Sequence, residues 1–276
     1  MNKLIGVLSI VLLFSRQADA QYFYKDIISN IQVLQDLENY RENKVHNVKI
    51  ESFENDGTAS EGFYCEKKIS KDFRRTEVYT KSAITAPSIF TSFFNEKGRL
   101  VKTIDSSTLA SSTNQYLYDD KDRIFKVLSI IRSSDDDFVN EIAEEHRYEY
   151  NEGSLPSKMT VQKNKKELTQ VLFMKDEKGN ISIEKNTTTG EKYYYYYDSK
   201  NRMTDVVHSS EYTDKLLPDY MFEYNQTGNL TQLITTEEGS SNYFIWKYTY
   251  ENSLRSAEKC YSKEKKLLGS LKYEYK

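Results

Sequence analysis

Three histidines, His46, His146 and His208, are the first residues to test for chemistry, because imidazole is a common metal ligand and a general base near neutral pH. None belongs to an H-E-x-x-H pair or to any other metal spacing. His146 follows Glu144-Glu145 and becomes a candidate ligand only if folding gathers partners around it; the plainer reading is a histidine at a strand start. Asp135-Asp136-Asp137, in SSDDDF, offers hard oxygens to calcium but lacks the D-x-D-x-D-G pattern and reads as a solvated loop. No nucleophile elbow, phosphate-binding loop or dinucleotide fingerprint occurs. Ser262-x-x-Lys265 formally matches a serine–lysine pair, yet it stands in a charged run without companion motifs. The acidic residues are too many to single out a catalytic pair, so a polysaccharide-acting hydrolase with carboxylates from several strands is the alternative rather than the first reading. No catalytic residue, metal set or cofactor is expected.

The opening MNKLIGVLSIVLLFSRQADA carries Lys3, an apolar run from Leu4 to Phe14 and the A-x-A sequence Ala18-Asp19-Ala20. We read 1–20 as a secretory signal peptide cleaved after Ala20, with no lipid-anchor cysteine at that point. Cleavage removes Lys3, Arg16 and Asp19 and leaves 37 basic against 41 acidic residues, a net charge near −4. Nothing in that balance suggests nucleic acid. No later stretch is long and apolar enough for a transmembrane helix, so the mature chain is expected in the periplasm or at the cell surface. Four N-x-S/T sequons (Asn180, Asn186, Asn225, Asn229) matter only in a eukaryotic secretory pathway. In an exported protein the two cysteines, Cys65 and Cys260, are candidates for one disulfide, which requires that the first and last strands lie together. Two separate buried thiols are the other possibility.

Twenty-three tyrosines against ten glycines and three prolines point to strands, where an amphipathic ring suits a half-buried sheet face. The tyrosines also repeat. YLYDDKDRI (116–124), YEYNEGSL (148–155), YYYDSKNRM (195–203), FEYNQTGNL (222–230), YTYENSL (248–254) and the terminal YEY (273–275) share one frame. SFFNEKGRL (92–100) and LFMKDEKGNI (172–181) are looser copies, and FENDGTA (53–59) is a degenerate one. The anchor falls at 94, 118, 150, 174, 197, 224, 250 and 275, in steps of 24, 32, 24, 23, 27, 26 and 25. Aromatics two apart share a strand face, the Asp or Asn that follows opens a turn, and Gly98, Asp122, Asn201 and Gly228 supply residues tolerant of positive φ. Each unit therefore reads as a β-hairpin, and the whole as an antiparallel meander.

Y-x-Y-[DN]-x-x-G-[RN]-[LIM] resembles the YD repeat of the RHS (rearrangement hot spot) family over residues 92–276, most clearly at Asp119, Asp198 and Asn225. This chain departs from the pattern by often replacing the glycine and by varying loop length. The resemblance implies a mainly β fold in which hairpins form a continuous curved or spiral sheet. With no toxin module after the last repeat, encapsulation is not expected. In overall style the chain is also similar to short exported proteins of Bacteroides-type bacteria.

The elements before the repeats differ. Ile27, Ile31, Leu34 and Leu37 recur at helical spacing within 24–44, which predicts one amphipathic helix packed on the sheet. The expected organisation is therefore signal 1–20, helical segment 21–45 and repeat domain 46–276. Within EKYYYYYD, Tyr193, Tyr195 and Tyr197 obey the common aromatic face. Tyr194 and Tyr196 fall on the other face, where matching copies carry Met221 and Glu223, Arg147 and Glu149, Lys247 and Thr249, or Lys272 and Glu274. Either the helix covers these two rings, or they are a ligand-binding site. The expected function is an exported, non-enzymatic binding or scaffold protein holding a glycan, peptide or protein partner. A β-barrel of the outer membrane is a third reading, disfavoured because one face is too charged to meet lipid and the chain does not end on the usual aromatic.

Overall fold

The computed structural model describes residues 21–108, 110–133, 141–209, 216–237 and 242–276. The expected signal segment and Asp135-Asp136-Asp137 lie outside the described residues. A wide helical turn, Phe23–Ile28, runs into α1 (Ser29–Glu42). The strands are β1 (Asn47–Glu54), β2 (Tyr64–Ile69), β3 (Arg75–Lys81), β4 (Ser88–Phe94), β5 (Leu100–Ser107), β6 (Ala110–Tyr118), β7 (Ile124–Ser133), β8 (Glu141–Glu149) and β9 (Lys158–Lys163). They continue as β10 (Lys166–Lys175), β11 (Ile181–Asn186), β12 (Lys192–Tyr197), β13 (Met203–Ser209), β14 (Leu217–Tyr224), β15 (Leu230–Thr236), β16 (Tyr243–Glu251), β17 (Leu254–Ser262) and β18 (Leu267–Tyr275).

Every strand pairs antiparallel with its sequence neighbours, which makes the expected meander. The sheet does not stay open or spiral, however. β18 pairs with β1 from Val48↔Tyr275 to Glu54↔Gly269, and β1 also pairs with β2, so the eighteen strands close into a barrel. Closure removes both sheet edges, which would otherwise present unpaired N–H and C=O groups.

The repeat builds one end of this barrel by a recurring set of bonds. In the turn after β6, Asp119 Oδ1 accepts the N–H groups of Lys121 and Arg123, and Asp122 takes positive φ (61°). Asp198 does the same for Lys200 and Arg202, with Asn201 at 59°. The register shifts at the anchor aromatic in both hairpins, so one extra residue bulges there. The anchor ring then points inward, and its hydroxyl donates to a carbonyl at the start of an earlier return strand. Tyr118 bonds Leu100 O (2.7 Å), Tyr150 bonds Ile124 O (2.6 Å), Tyr197 bonds Ile181 O (2.8 Å), Tyr224 bonds Met203 O (2.8 Å) and Tyr275 bonds Arg255 O (2.6 Å).

Arginine ties three of these turns to the next. Arg99, Arg123 and Arg202 donate to Asp122 O, Gly153 O and Asn225 O, and they lie 5.5, 4.2 and 4.8 Å from the centroids of Tyr118, Tyr150 and Tyr224. The Y-D-x-x-x-R spacing is thus a lateral clasp between hairpins. Tyr150→Phe should cost about 1–2 kcal/mol in urea unfolding, because Ile124 O loses its donor; no measurable loss would show that the clasp contributes nothing. FENDGTA (53–59) makes a similar turn, with Gly57 at φ 84°, but it joins β1 to β2 at the opposite end. It is not a copy in phase with the others.

The helix does not rest on the outside of the sheet. Its side chains meet inward-facing residues from strands all round the ring: Lys67 on β2, Phe94 on β4, Leu100 on β5, Tyr118 on β6, His146 on β8, Phe173 on β10, Tyr195 on β12 and Phe222 on β14. Only a helix in the lumen can touch all of these. Phe23 (1% exposed), Ile27 and Leu37 are buried there, whereas Ile31 of the expected apolar stripe is exposed. The largest core cluster joins Tyr22, Phe23 and Ile27 to inward residues of β7 through β15. At its end the helix stops at Lys44 (φ 54°), with Val45 N–H returning to Tyr40 O.

Candidate functional site

Polar side chains gather on both faces of the wall, inside the barrel and outside. Inside, Glu184 on β11 is 2% exposed, and its two oxygens accept the Tyr22 and Phe23 N–H groups at 3.0 Å each and the Tyr195 hydroxyl at 2.8 Å. The helical turn has no side-chain cap of its own, so the carboxylate satisfies donors that a helix start leaves free and complements its positive end. Burial pushes the Glu184 carboxyl up, against the donors that favour its ionised form.

Asp26, on the same turn, meets β8. Its Oδ2 lies 2.6 Å from His146 Nδ1 and accepts the Tyr148 hydroxyl at 2.7 Å, while His146 Nε2 lies 2.8 Å from Glu144 Oε1. Burial alone would push the imidazole down; the two carboxylates outweigh it and hold its pKa up at about 10. His146 is therefore an imidazolium at neutral pH, with both N–H groups donating. Such a ring has no lone pair for a metal, so folding does gather carboxylates around His146 but makes it an ion-pair partner and not a ligand. Among the described residues no group of three His, Cys, Asp or Glu is arranged to hold a metal ion. These residues lock the helix in place.

Sequence reading did not single out Asp26 or Glu184 for this role. The available signal was phase: Glu184 faces Phe173 and Tyr193 in register, which places it on the inward row.

Outside, the structure separates the five tyrosines by face. Tyr193 and Tyr195 are buried in the lumen, and Tyr197 joins them as an anchor. Tyr194 and Tyr196 stand on the outer wall, and the helix covers neither; Tyr196 is 47% exposed. They line an open depression of about 500 Å³ with Ile183, Ser182 and the turn residues Asp176, Glu177 and Lys178. Burial would raise the Asp176 carboxyl, but the N–H groups of Asn180 and Lys178 outweigh it and keep it below the usual range. Register extends the apolar surface sideways. Met174, Ile183, Tyr194 and Val207 form one row, and Tyr196 leads past Asp205 to Met221, Ile234, Ile245 and Tyr261. Arg147, Glu149, Lys247, Lys272 and Glu274 occupy the corresponding positions elsewhere and are exposed.

Cys65 and Cys260 do not bridge. Both are buried and free although the barrel closes. Cys260 on β17 faces Gly269 on β18, which lies opposite Glu54 on β1, whereas Cys65 on β2 faces Ile50, four residues along β1. Three strand spacings across and four residues along come to roughly 14 and 13 Å. Disulfides need Cα atoms within about 7 Å. Closing the sheet brings the ends together without bringing the thiols together.

No helix among the described residues is long and apolar enough to cross a membrane. No family model and no curated protein matches the chain. Among solved structures, TcdB2-TccC3-TEV aligns with 77% of this chain at 12% identity and a TM-score of 0.36, and the match spans 12% of that chain. The Photorhabdus luminescens Tc holotoxin pore (TccC3-D651A) aligns with 74% at 12% identity and a TM-score of 0.27, over 15% of that chain. A porin-like protein from Bacteroides uniformis aligns with 84% of this chain and 96% of its own length, at 10% identity and a TM-score of 0.36.

Proposed function

We propose that this is an exported, non-enzymatic binding or scaffold protein of YD-repeat type, which holds a glycan, peptide or protein partner on the outer wall of its barrel at the cell envelope. One observation carries the reading: Tyr194 and Tyr196 are turned out of the barrel in an open depression, at positions where the copies ending at 150, 250 and 275 place Arg147, Glu149, Lys247, Lys272 and Glu274. Inside the barrel the helical turn and its aromatic contacts form a packed core cluster, so the inward-facing Tyr193 and Tyr195 are engaged in packing. Exposed rings beside acids, a lysine and a serine offer stacking surface with polar groups to orient a bound molecule.

Replacing both rings, as Tyr194→Ser with Tyr196→Ser, should abolish retention on polysaccharide and envelope-protein preparations while urea stability stays within about 1 kcal/mol, the range of surface changes. Collapse of the fold in this variant would make the rings structural and end the proposal.

A further inference from the structure

The outer wall carries a second tyrosine pair. Tyr64 begins β2 and Tyr79 lies on β3, in diagonal register (Tyr64↔Lys81, Glu66↔Tyr79), with centroids 5.8 Å apart and planes at 65°. Tyr64 is 39% exposed, and the rings line an open depression of about 390 Å³ with Glu66, Lys68, Glu77 and Lys81. The chemistry resembles that around Tyr194 and Tyr196: each depression combines two outward tyrosines with two acids and lysine, Asp176, Glu177 and Lys178 in one, Glu66, Glu77, Lys68 and Lys81 in the other. In a ring of eighteen strands β2 and β3 stand half-way round from β10–β12, so the two depressions face opposite directions.

We propose that Tyr64 and Tyr79 form a second station for a neutral, hydroxyl-rich oligosaccharide, and that the barrel is bivalent, bridging two glycan chains. This rests on the binding reading of Tyr194 and Tyr196. The polar inventory selects the ligand class. A saccharide hydroxyl both donates and accepts, so it satisfies carboxylate and ammonium neighbours together, while its C–H faces lie on the rings. An anionic or cationic ligand would meet a like charge in either depression. The Tyr64 hydroxyl donates to Glu66 Oε2 at 3.0 Å, and Asn47 donates to Oε1 at 2.7 Å, which fixes the carboxylate that borders the station. Two weak stations on opposite walls give avidity on a polymer network that neither gives alone.

The test uses the intact protein in affinity electrophoresis through dextran, xylan, β-glucan and mannan, then calorimetry with a hexasaccharide of whichever polymer retards it, and agglutination of beads coated with that polymer. The wild type should bind two hexasaccharides and agglutinate the beads. Tyr64→Ser with Tyr79→Ser, and separately Tyr194→Ser with Tyr196→Ser, should each bind one and lose agglutination. Tyr64→Ser alone, at the more exposed ring, replaces the first pair if that variant melts early. One site in the wild type overturns bivalence, and two in the Tyr64/Tyr79 variant overturn the placing of the second station at these rings; both leave the first station standing. Retardation by none of the four polymers overturns the glycan assignment of both stations.

Discussion

Phe23→Ala should lower the free energy of unfolding by about 3–5 kcal/mol, the range for emptying a buried phenylalanine site. Phe23 is 1% exposed and packs against one stretch of wall, Phe173 on β10 at 6.3 Å and Tyr195 on β12 at 5.4 Å, the latter edge-on. The cost depends on whether neighbours can collapse into the space. Here they belong to strands held on both sides by ladder hydrogen bonds, so the wall cannot close in. Urea unfolding measures the loss. Ile31→Ala on the same helix is the control, because Ile31 is 45% exposed and its truncation should stay within about 1 kcal/mol. Equal small losses from both variants would mean that the helix does not occupy the lumen in solution.

The repeat was legible because its bonds are local. Asp198 reaches its own turn through neighbouring N–H groups, and Tyr197 reaches a carbonyl on the hairpin beside it, so type and spacing reveal both. The split of the five tyrosines into two faces follows from strand geometry alone and is what the structure shows. Closure was not legible, because it depends on accumulated sheet curvature and on pairing between β1 and β18, ends of the chain with no local signal for each other. The helix was placed correctly along the chain but on the wrong side of the sheet. Its apolar stripe looks the same whether it covers a flat surface or is ringed by one. The polar lock was hidden for a related reason. Asp26 and His146 are 120 residues apart, and neither stands in a motif. The cysteine reading failed at one step: it treated closure as enough to align two thiols that sit at different heights on different strands.

His146→Gln tests that lock, and its effect should depend on pH in a defined direction. At neutral pH the imidazolium sits between Asp26 on the helix and Glu144 on its own strand, with Tyr148 also on Asp26, Lys163 of β9 attracting Glu144, and Glu184 of β11 nearby. A neutral glutamine leaves two half-buried or buried carboxylates without their cation, a loss of about 3–5 kcal/mol for a broken buried pair. The folded pKa of about 10 stands above the ordinary value of 6.5. The proton is thus bound more tightly in the folded state, and the stabilisation is fully present below about pH 6.5 and fades as pH rises through about 10. Glu144 sets the other limit: its carboxyl is held below 4.5 chiefly by the His146 hydrogen bond, so its share is present above that value and is lost as pH falls through the folded pKa. The stability gap between wild type and variant should therefore be widest from about pH 5 to 6.5 and narrow by a few kcal/mol towards pH 10. Urea midpoints at pH 6, 8 and 10 for both proteins measure it. If the two lose stability in parallel, the titration belongs to another group and the helix is held in the lumen by its apolar contacts alone.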